Sequence, residues 1–275
     1  MSSLDLIKVA DAYGTAIGAF NVILLEHAEA IIAGAQSADL PVILQVSQNA
    51  VKYHGALAPI SLATIACARA ASIPTSVHLD HAEDTELIRQ ALDLGYDSIM
   101  YDGSKLDFAM NVSTSRAMAD LAHSYGATIE VELGEIGGKD VVHAPGIRTN
   151  PGDAKSFVEE TGVDLLAVAV GSSHAMTSRD AQLDFELIAD IHAVVSVPLV
   201  LHGSSGVSDP DLQSAIRAGM RKINIATHLN HVFTDAVRTV LNGDPKLVDP
   251  RKYIGLARSD VAAEITRLLK ILNLE

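Results

Sequence analysis

Short apolar runs and amphipathic runs alternate along the whole chain. The apolar runs are AIGAFNV (16–22), PVILQVS (41–47), PTSVHLD (74–80), YDSIMYD (96–102), ATIEVEL (127–133), VDLLAVAV (163–170), VPLVLHG (197–203) and RKINIAT (221–227). Each is short and rich in Val, Ile and Leu, the signature of a strand covered on both faces, so about eight strands are predicted. Between them lie runs with helical periodicity: LEHAEAIIAGAQSADL, SLATIACARAA, DTELIRQALDLG, SRAMADLAHSYG, DAKSFVEETG, DFELIADIHAVV and DPDLQSAIRAG. Several open on Asp and close on Gly, as N-caps and C-caps prefer. Strand–helix units repeated in this number over 275 residues match an α/β fold of the (β/α)8 TIM-barrel type. A single domain over residues 1–275 is expected, because no Ser/Pro/Gly-rich linker or shift in composition divides it. An extra helical segment follows the eighth unit in NGDPKLVDPRKYIGLARSDVAAEITRLLKILN. An open dinucleotide-binding sheet is disfavoured, since GAFNVILLEHAE carries no Gly-rich fingerprint after the first strand.

Composition narrows the function classes. Hydrophobic residues make up 48% of the chain and aromatics only 4%, which points to a core of small aliphatics. The formal net charge of −14 offers no basic stripe for a nucleic-acid backbone, although a small phosphorylated ligand needs only local donors. No apolar stretch reaches membrane-spanning length, and MSSLDLIKVADAYG lacks the features of a secretion signal, so a soluble, cytoplasmic protein is expected. The one cysteine, Cys67, fits a reducing compartment and reads as a small hydrophobe.

In a barrel the active site forms at the carboxyl ends of the strands. Asp80 and His81 end the third strand, Asp102 the fourth and His202 the seventh; Glu130 and Glu132 lie near the end of the fifth, and His174 follows the sixth. Asn21, Ser47 and Asn224 add polar groups on the first, second and eighth. Three histidines and several carboxylates converging on one mouth are what a catalytic Zn²⁺ site needs. By strand alternation His78 points away from His81 and reads as support. His27, His54, His123, His192 and His231 fall on helical patterns. HGSSGVSDPDL (202–212) couples a Gly/Ser loop to a helix start, a site for phosphate, with NIATH on the neighbouring strand. GEIGGKDVVHAPGIRTNPGD (134–153) is long for a βα connection and reads as a functional lid.

Seven motifs, GAFNV, HLDHA, SIMYDGSKL, IEVELGEIGG, HGSSG, KINIAT and DPRKY, occur in the order seen in class II, metal-dependent fructose-bisphosphate and tagatose-bisphosphate aldolases. The chain resembles that family over nearly its whole length. The resemblance implies that Asp80 is the general acid/base and that His81, His174 and His202 hold zinc, with Asp102 and Glu132 at an alternate metal position. It places Gly203, Ser204, Ser205, Asn224, Ile225, Ala226 and Thr227 around the phosphate of dihydroxyacetone phosphate, with a monovalent cation (Na⁺ or K⁺) nearby. Asn21 and Ala175 join the substrate-binding set, Ala175 standing where the family usually has glycine. Ser47 and Arg251 match positions touching the far phosphate, the arginine usually coming from a neighbouring subunit of a homodimer or homotetramer. Asp140 is the candidate lid residue for proton transfer.

The implied reaction is reversible cleavage of a ketose 1,6-bisphosphate, fructose 1,6-bisphosphate first, to dihydroxyacetone phosphate and glyceraldehyde 3-phosphate. Tagatose 1,6-bisphosphate and 6-phospho-5-dehydro-2-deoxygluconate are the alternatives within the family, and a non-catalytic sugar-phosphate-binding barrel is the alternative outside it. A Schiff-base aldolase would need a lysine at the barrel mouth. VDLLAVAVGSSH has none, and Lys222 sits near the start of its strand. A metal-dependent hydrolase would ordinarily carry a His-x-His pair on the first strand, and GAFNV contains no histidine.

Overall fold

The computed structural model describes residues 2–134, 148–174 and 176–275. Eight parallel strands pair in chain order, and the eighth closes on the first: β1 (Ile17–Asn21), β2 (Val42–Ser47), β3 (Thr75–Ala82), β4 (Ser98–Tyr101), β5 (Thr128–Leu133), β6 (Leu165–Val168), β7 (Leu199–Leu201) and β8 (Met220–Ile225). Each falls within two residues or so of an apolar run, so the expected α/β TIM barrel is the fold observed. The surrounding helices are α1 (Ser3–Ala12), α2 (Leu25–Ala38), α3 (Gln48–His54), α4 (Leu57–Ala70), α5 (Thr85–Asp93), α6 (Phe108–Ser124), α7 (Pro151–Thr161), α8 (Phe185–Val194), α9 (Asp209–Ala218), α10 (Thr227–Gly243) and α11 (Pro250–Leu272).

Cap chemistry explains most helix starts. Asp84, Asp107 and Asp184 accept hydrogen bonds from backbone N–H groups in the first turns of α5, α6 and α8. α6 therefore begins at Phe108, ahead of the periodic run that betrayed it. α7 starts before its expected Asp153 because Asn150 accepts from Gly152 and Asp153 N–H, and Pro151 fits the first turn.

Strand alternation sorts side chains into an outward set, packed under the helices, and an inward set. Several inward residues near the amino ends of the strands are apolar: Ile17, Ala19, Ile43, Leu165, Ala167 and Val200 pack with Leu6, Ile7 and Ala10 of α1, while Ser76 bonds Ser3 of that helix. The amphipathic α1, fixed by a Ser2/Asp5 capping box, thus plugs the barrel floor. The expected C-terminal segment is α11, which crosses α2 where Gly34 leaves no side chain in the way. A Cβ there would lie 2.5 Å from Ala262 O and 2.6 Å from Ile265 Cβ. Among the described residues no helix is long and apolar enough to cross a membrane.

Candidate active site

Inward positions turn polar toward the carboxyl ends of the same strands. Above the floor comes an ion pair with no exposure, Lys222 Nζ to Glu130 Oε2 at 2.6 Å. Beside it His78 Nδ1 bonds Ser98 Oγ at 2.7 Å, while His78 Nε2 lies 3.8 Å from Glu130. Burial, reinforced by the Lys222 ammonium, holds the His78 imidazole well below its usual range, so it stands neutral.

Glu130 also reaches upward, its Oε1 accepting from His202 Nε2–H at 2.8 Å. His202 therefore presents the bare Nδ1 to the mouth. His81 is oriented in the same manner by Asp102, whose Oδ2 accepts from His81 Nδ1–H at 2.8 Å and whose Oδ1 accepts from the Ser104 hydroxyl at 2.6 Å. The two remaining ring nitrogens, His81 Nε2 and His202 Nδ1, face each other at 2.8 Å. Two lone pairs so close repel unless a proton or a cation lies between them. The His174 ring stands edge-on to both, with centroids 4.8 Å from His81 and 5.7 Å from His202.

Alternation had put His78 and His81 on opposite faces, and the structure corrects this. His81 adopts φ 48°, a left-handed conformation rare outside glycine, and the register against β4 shifts between Leu79 and Ala82. The kink turns His81 inward after Asp80, so both histidines of HLDH belong to the barrel interior, His78 deep and His81 at the mouth.

One ligand atom from each of His81, Glu132, His174 and His202 lies within 4.8 Å of the other three. Nitrogen-rich, carboxylate-containing and partly open to the cavity, this donor set fits a divalent metal such as zinc. Asp102, expected at an alternate metal position, orients His81 here instead of joining that group of four. Asp80 is 3% exposed; its Oδ2 accepts from Asn21 Nδ2 at 2.9 Å, and Asn21 Oδ1 accepts from Gln45 Nε2 at 2.7 Å. The other oxygen, Oδ1, is buried without a hydrogen-bond partner, 4.0 Å from His81 Nε2.

The Gly/Ser loop sits where expected. Gly203 has φ 65°, and a Cβ there would meet Ser173 backbone atoms at 2.5–2.8 Å, so only glycine lets the loop carrying His174 pack on the loop after β7. Ser205 Oγ accepts from Ala226 N–H at 3.3 Å and His228 N–H at 3.1 Å, tying that loop to the start of α10. Gly203, Ser205, Asn224, Ala226 and Thr227 line a cavity of about 400 Å³, together with Asn21, Ser47, Asp80, Asp102 and the three histidines. Ser204 and Ile225 do not: the Ser204 hydroxyl donates to Leu201 O, and Ile225 is packed in the core. Arg251 lies outside the lining, 88% exposed in its side chain and chelated by Asp249 on its own chain. Ala175, Asp140 and most of the expected lid fall outside the described residues.

Sequence reasoning passed over three features of this mouth. Glu130 was noted only as one carboxylate among several, and Lys222 was set aside as lying at the wrong end of its strand. Gln45 was overlooked, although its place in Ile43-Gln45-Ser47, a polar residue at an inward position, was the signal. Gln48, Asn49, Lys52, Glu83 and Lys105 complete the cavity rim and lie on helix or loop, where no periodicity pointed to them.

A barrel mouth that gathers four side chains able to hold a metal beside a buried carboxylate has the make-up of a metal-dependent barrel enzyme. The family model for fructose-bisphosphate aldolase class-II matches residues 1–275. The chain belongs to that family and is a metal-dependent aldolase, a lyase. Among solved structures, the YdjI aldolase from Escherichia coli K12 is 32% identical, with a TM-score of 0.85 over 99% of this chain and 96% of that one. A protein described as a putative fructose-1,6-biphosphate aldolase from Coccidioides immitis is 29% identical, with a TM-score of 0.88 over 98% and 95%. The fructose-bisphosphate aldolase of Campylobacter jejuni, 23% identical, shares the fold with a TM-score of 0.81 over 99% and 95%.

Proposed function

We propose that this aldolase reversibly cleaves a ketose 1,6-bisphosphate, with fructose 1,6-bisphosphate its substrate and zinc its metal, giving dihydroxyacetone phosphate and glyceraldehyde 3-phosphate. The observation that carries the reading is the group of His81, Glu132, His174 and His202 standing beside the unengaged Oδ1 of Asp80. When bound, zinc supplies the Lewis acidity that stabilises the negative charge left on the dihydroxyacetone phosphate half.

The chain's own residues do the rest. Asp80 takes the proton of the C4 hydroxyl as the carbon–carbon bond breaks and returns it during condensation. Asn21, braced by Gln45, holds the other Asp80 oxygen and so aims Oδ1 at the cavity. Glu130 and Asp102 keep His202 and His81 in single tautomers, so each presents one ligating nitrogen. Backbone N–H groups of the loop at Gly203–Ser205 and of the start of α10, where Ala226 offers no capping side chain of its own, meet the first phosphate, fixing the substrate before bond cleavage. A monovalent cation beside these loops would offset the phosphate charge. Ser47, with Arg251 from a second copy of the chain, meets the far phosphate.

A panel of fructose 1,6-bisphosphate, tagatose 1,6-bisphosphate and 6-phospho-5-dehydro-2-deoxygluconate, assayed in coupled reactions with and without added zinc, tests this reading. Fructose 1,6-bisphosphate should give the highest kcat/KM, a chelator should abolish turnover, and zinc should restore it. A clear preference for another sugar would overturn the substrate assignment, and chelator-resistant cleavage would overturn the metal.

A further inference from the structure

The cavity has two ends with different chemistry. The metal-ligating group lies deep, and the loops proposed for the first phosphate follow β7 and β8. In a closed barrel of eight strands, β3 stands across the mouth from β7, and the loops after β2 and β4 flank it. Those flanking loops bring the only lysines of the described lining: Lys52 on α3, after β2, and Lys105, after β4.

The two lysines are not equivalent. Lys105 Nζ meets Glu83 at 3.2 Å. Lys52 is exposed at the rim, and among the described residues no carboxylate lies within ion-pairing distance of it, although the chain carries 34 acidic residues against 20 basic ones. Of the two lysines on this pocket wall, Lys105 thus has an acid partner and Lys52, among the described residues, has none. The short helix that bears it is also fixed in place. Ser47 caps its start, Gln48 Oε1 accepts from the N–H groups of Glu83 and Asp84 at 3.1 Å, and His54 Nε2–H donates to Ile23 O at 2.7 Å. Lys52 therefore projects from a platform tied to the loops after β1 and β3, which limits the positions its ammonium can reach.

We infer that Lys52 is a specificity residue of the aldolase site: its ammonium binds the anionic group at the far end of the substrate, on the aldehyde half, across the mouth from the first phosphate. The inference rests on the aldolase reading and deepens it. It also assigns within a single chain a contact that Arg251, held by Asp249, does not make in its own cavity. The ligand chemistry is a terminal phosphate or a terminal carboxylate, and the experiment separates the two.

Zinc-loaded wild type, Lys52→Gln and Lys52→Arg are compared in condensing dihydroxyacetone phosphate with glyceraldehyde 3-phosphate, succinic semialdehyde and uncharged glyceraldehyde. Loss of one charge-assisted contact predicts that Lys52→Gln lowers the preference for an anionic over the uncharged aldehyde, taken as a ratio of kcat/KM, by about tenfold. The loss should fall on KM, shrink at high salt and be restored by Lys52→Arg. The aldehyde whose preference drops identifies phosphate or carboxylate as the group read. A preference unchanged for both anionic aldehydes overturns the inference while leaving the aldolase reading intact. Wild-type enzyme that condenses none of the three overturns both.

Discussion

The floor and the mouth of this barrel are built from the same eight strands and differ only in which inward residues they expose to what. At the floor Ile17, Ile43, Leu165 and Val200 meet the apolar face of α1. A few residues along the same strands, the inward positions are Asn21, Ser47, Asp80, Asp102, Glu132, His202 and Asn224. Between the two lies the Lys222–Glu130 pair, buried and fully engaged. The apolar cluster at the floor, with the main core between sheet and helices, forms the scaffold on which the polar groups of the mouth stand. The polar layer between them has a divided part: it costs desolvation, and in exchange it orients His202.

Substitutions at the two ends should separate these roles. The largest effect is expected at His202. His202→Ala removes a ring at the heart of the metal-ligating group, so bound zinc measured by elemental analysis and turnover should both be lost. On the proposed roles, proton transfer by Asp80 and metal binding by the histidines, Asp80→Ala should lower kcat by about two to four orders of magnitude while metal content stays near that of wild type. Loss of zinc from Asp80→Ala would mean that the two functions are not separable in this mouth.

Glu130→Gln tests the intervening layer. It keeps the shape but removes the charge facing Lys222 and the acceptor best suited to His202 Nε2–H, so zinc affinity in a chelator competition should fall by about 10–100-fold. At the floor, Ile7→Ala should cost about 2–5 kcal/mol in chemical denaturation and leave KM unchanged, since the cavity it opens lies under α1, far from the mouth.

The smallest effect is a pH dependence confined to the floor. Asp97 lies just before β4 and bonds Ser76, which in turn bonds Ser3 of α1. Burial pushes its carboxyl up from 3.8 to about 6. A carboxyl raised in the folded state favours the native protein fully below pH 3.8, and that contribution is lost as pH rises through about 6. Asp97→Asn should therefore flatten the fall in denaturation midpoint over that interval without moving the pH profile of kcat. A shifted kcat profile would show that floor and mouth are coupled.

Much of this architecture was legible in the chain because strand alternation is a local property. Apolar runs of strand length, separated by capped helices, located all eight strands, and the rule that barrels work at strand ends pointed to Asp80, His81, His174 and His202. The helices that departed from expectation did so for equally local reasons that were less visible, such as the Asn150 cap of α7 and the Asp107 cap of α6. By contrast, α1 as the floor plug was not legible, since its amphipathic face acquires meaning only when a closed barrel offers an apolar end to cover.

The sequence by itself determined the element order, the inward and outward sets and the kinds of side chain delivered to the mouth, because backbone periodicity and cap chemistry act over a few residues. Tertiary structure alone decided which of those side chains meet. The left-handed turn at His81 rotates its ring toward His202, 121 positions away in sequence, and Gly203 admits the loop that carries His174. Glu130 finds Lys222 across 92 positions. Each of these depends on barrel closure, which sets distances between strands that no local pattern encodes.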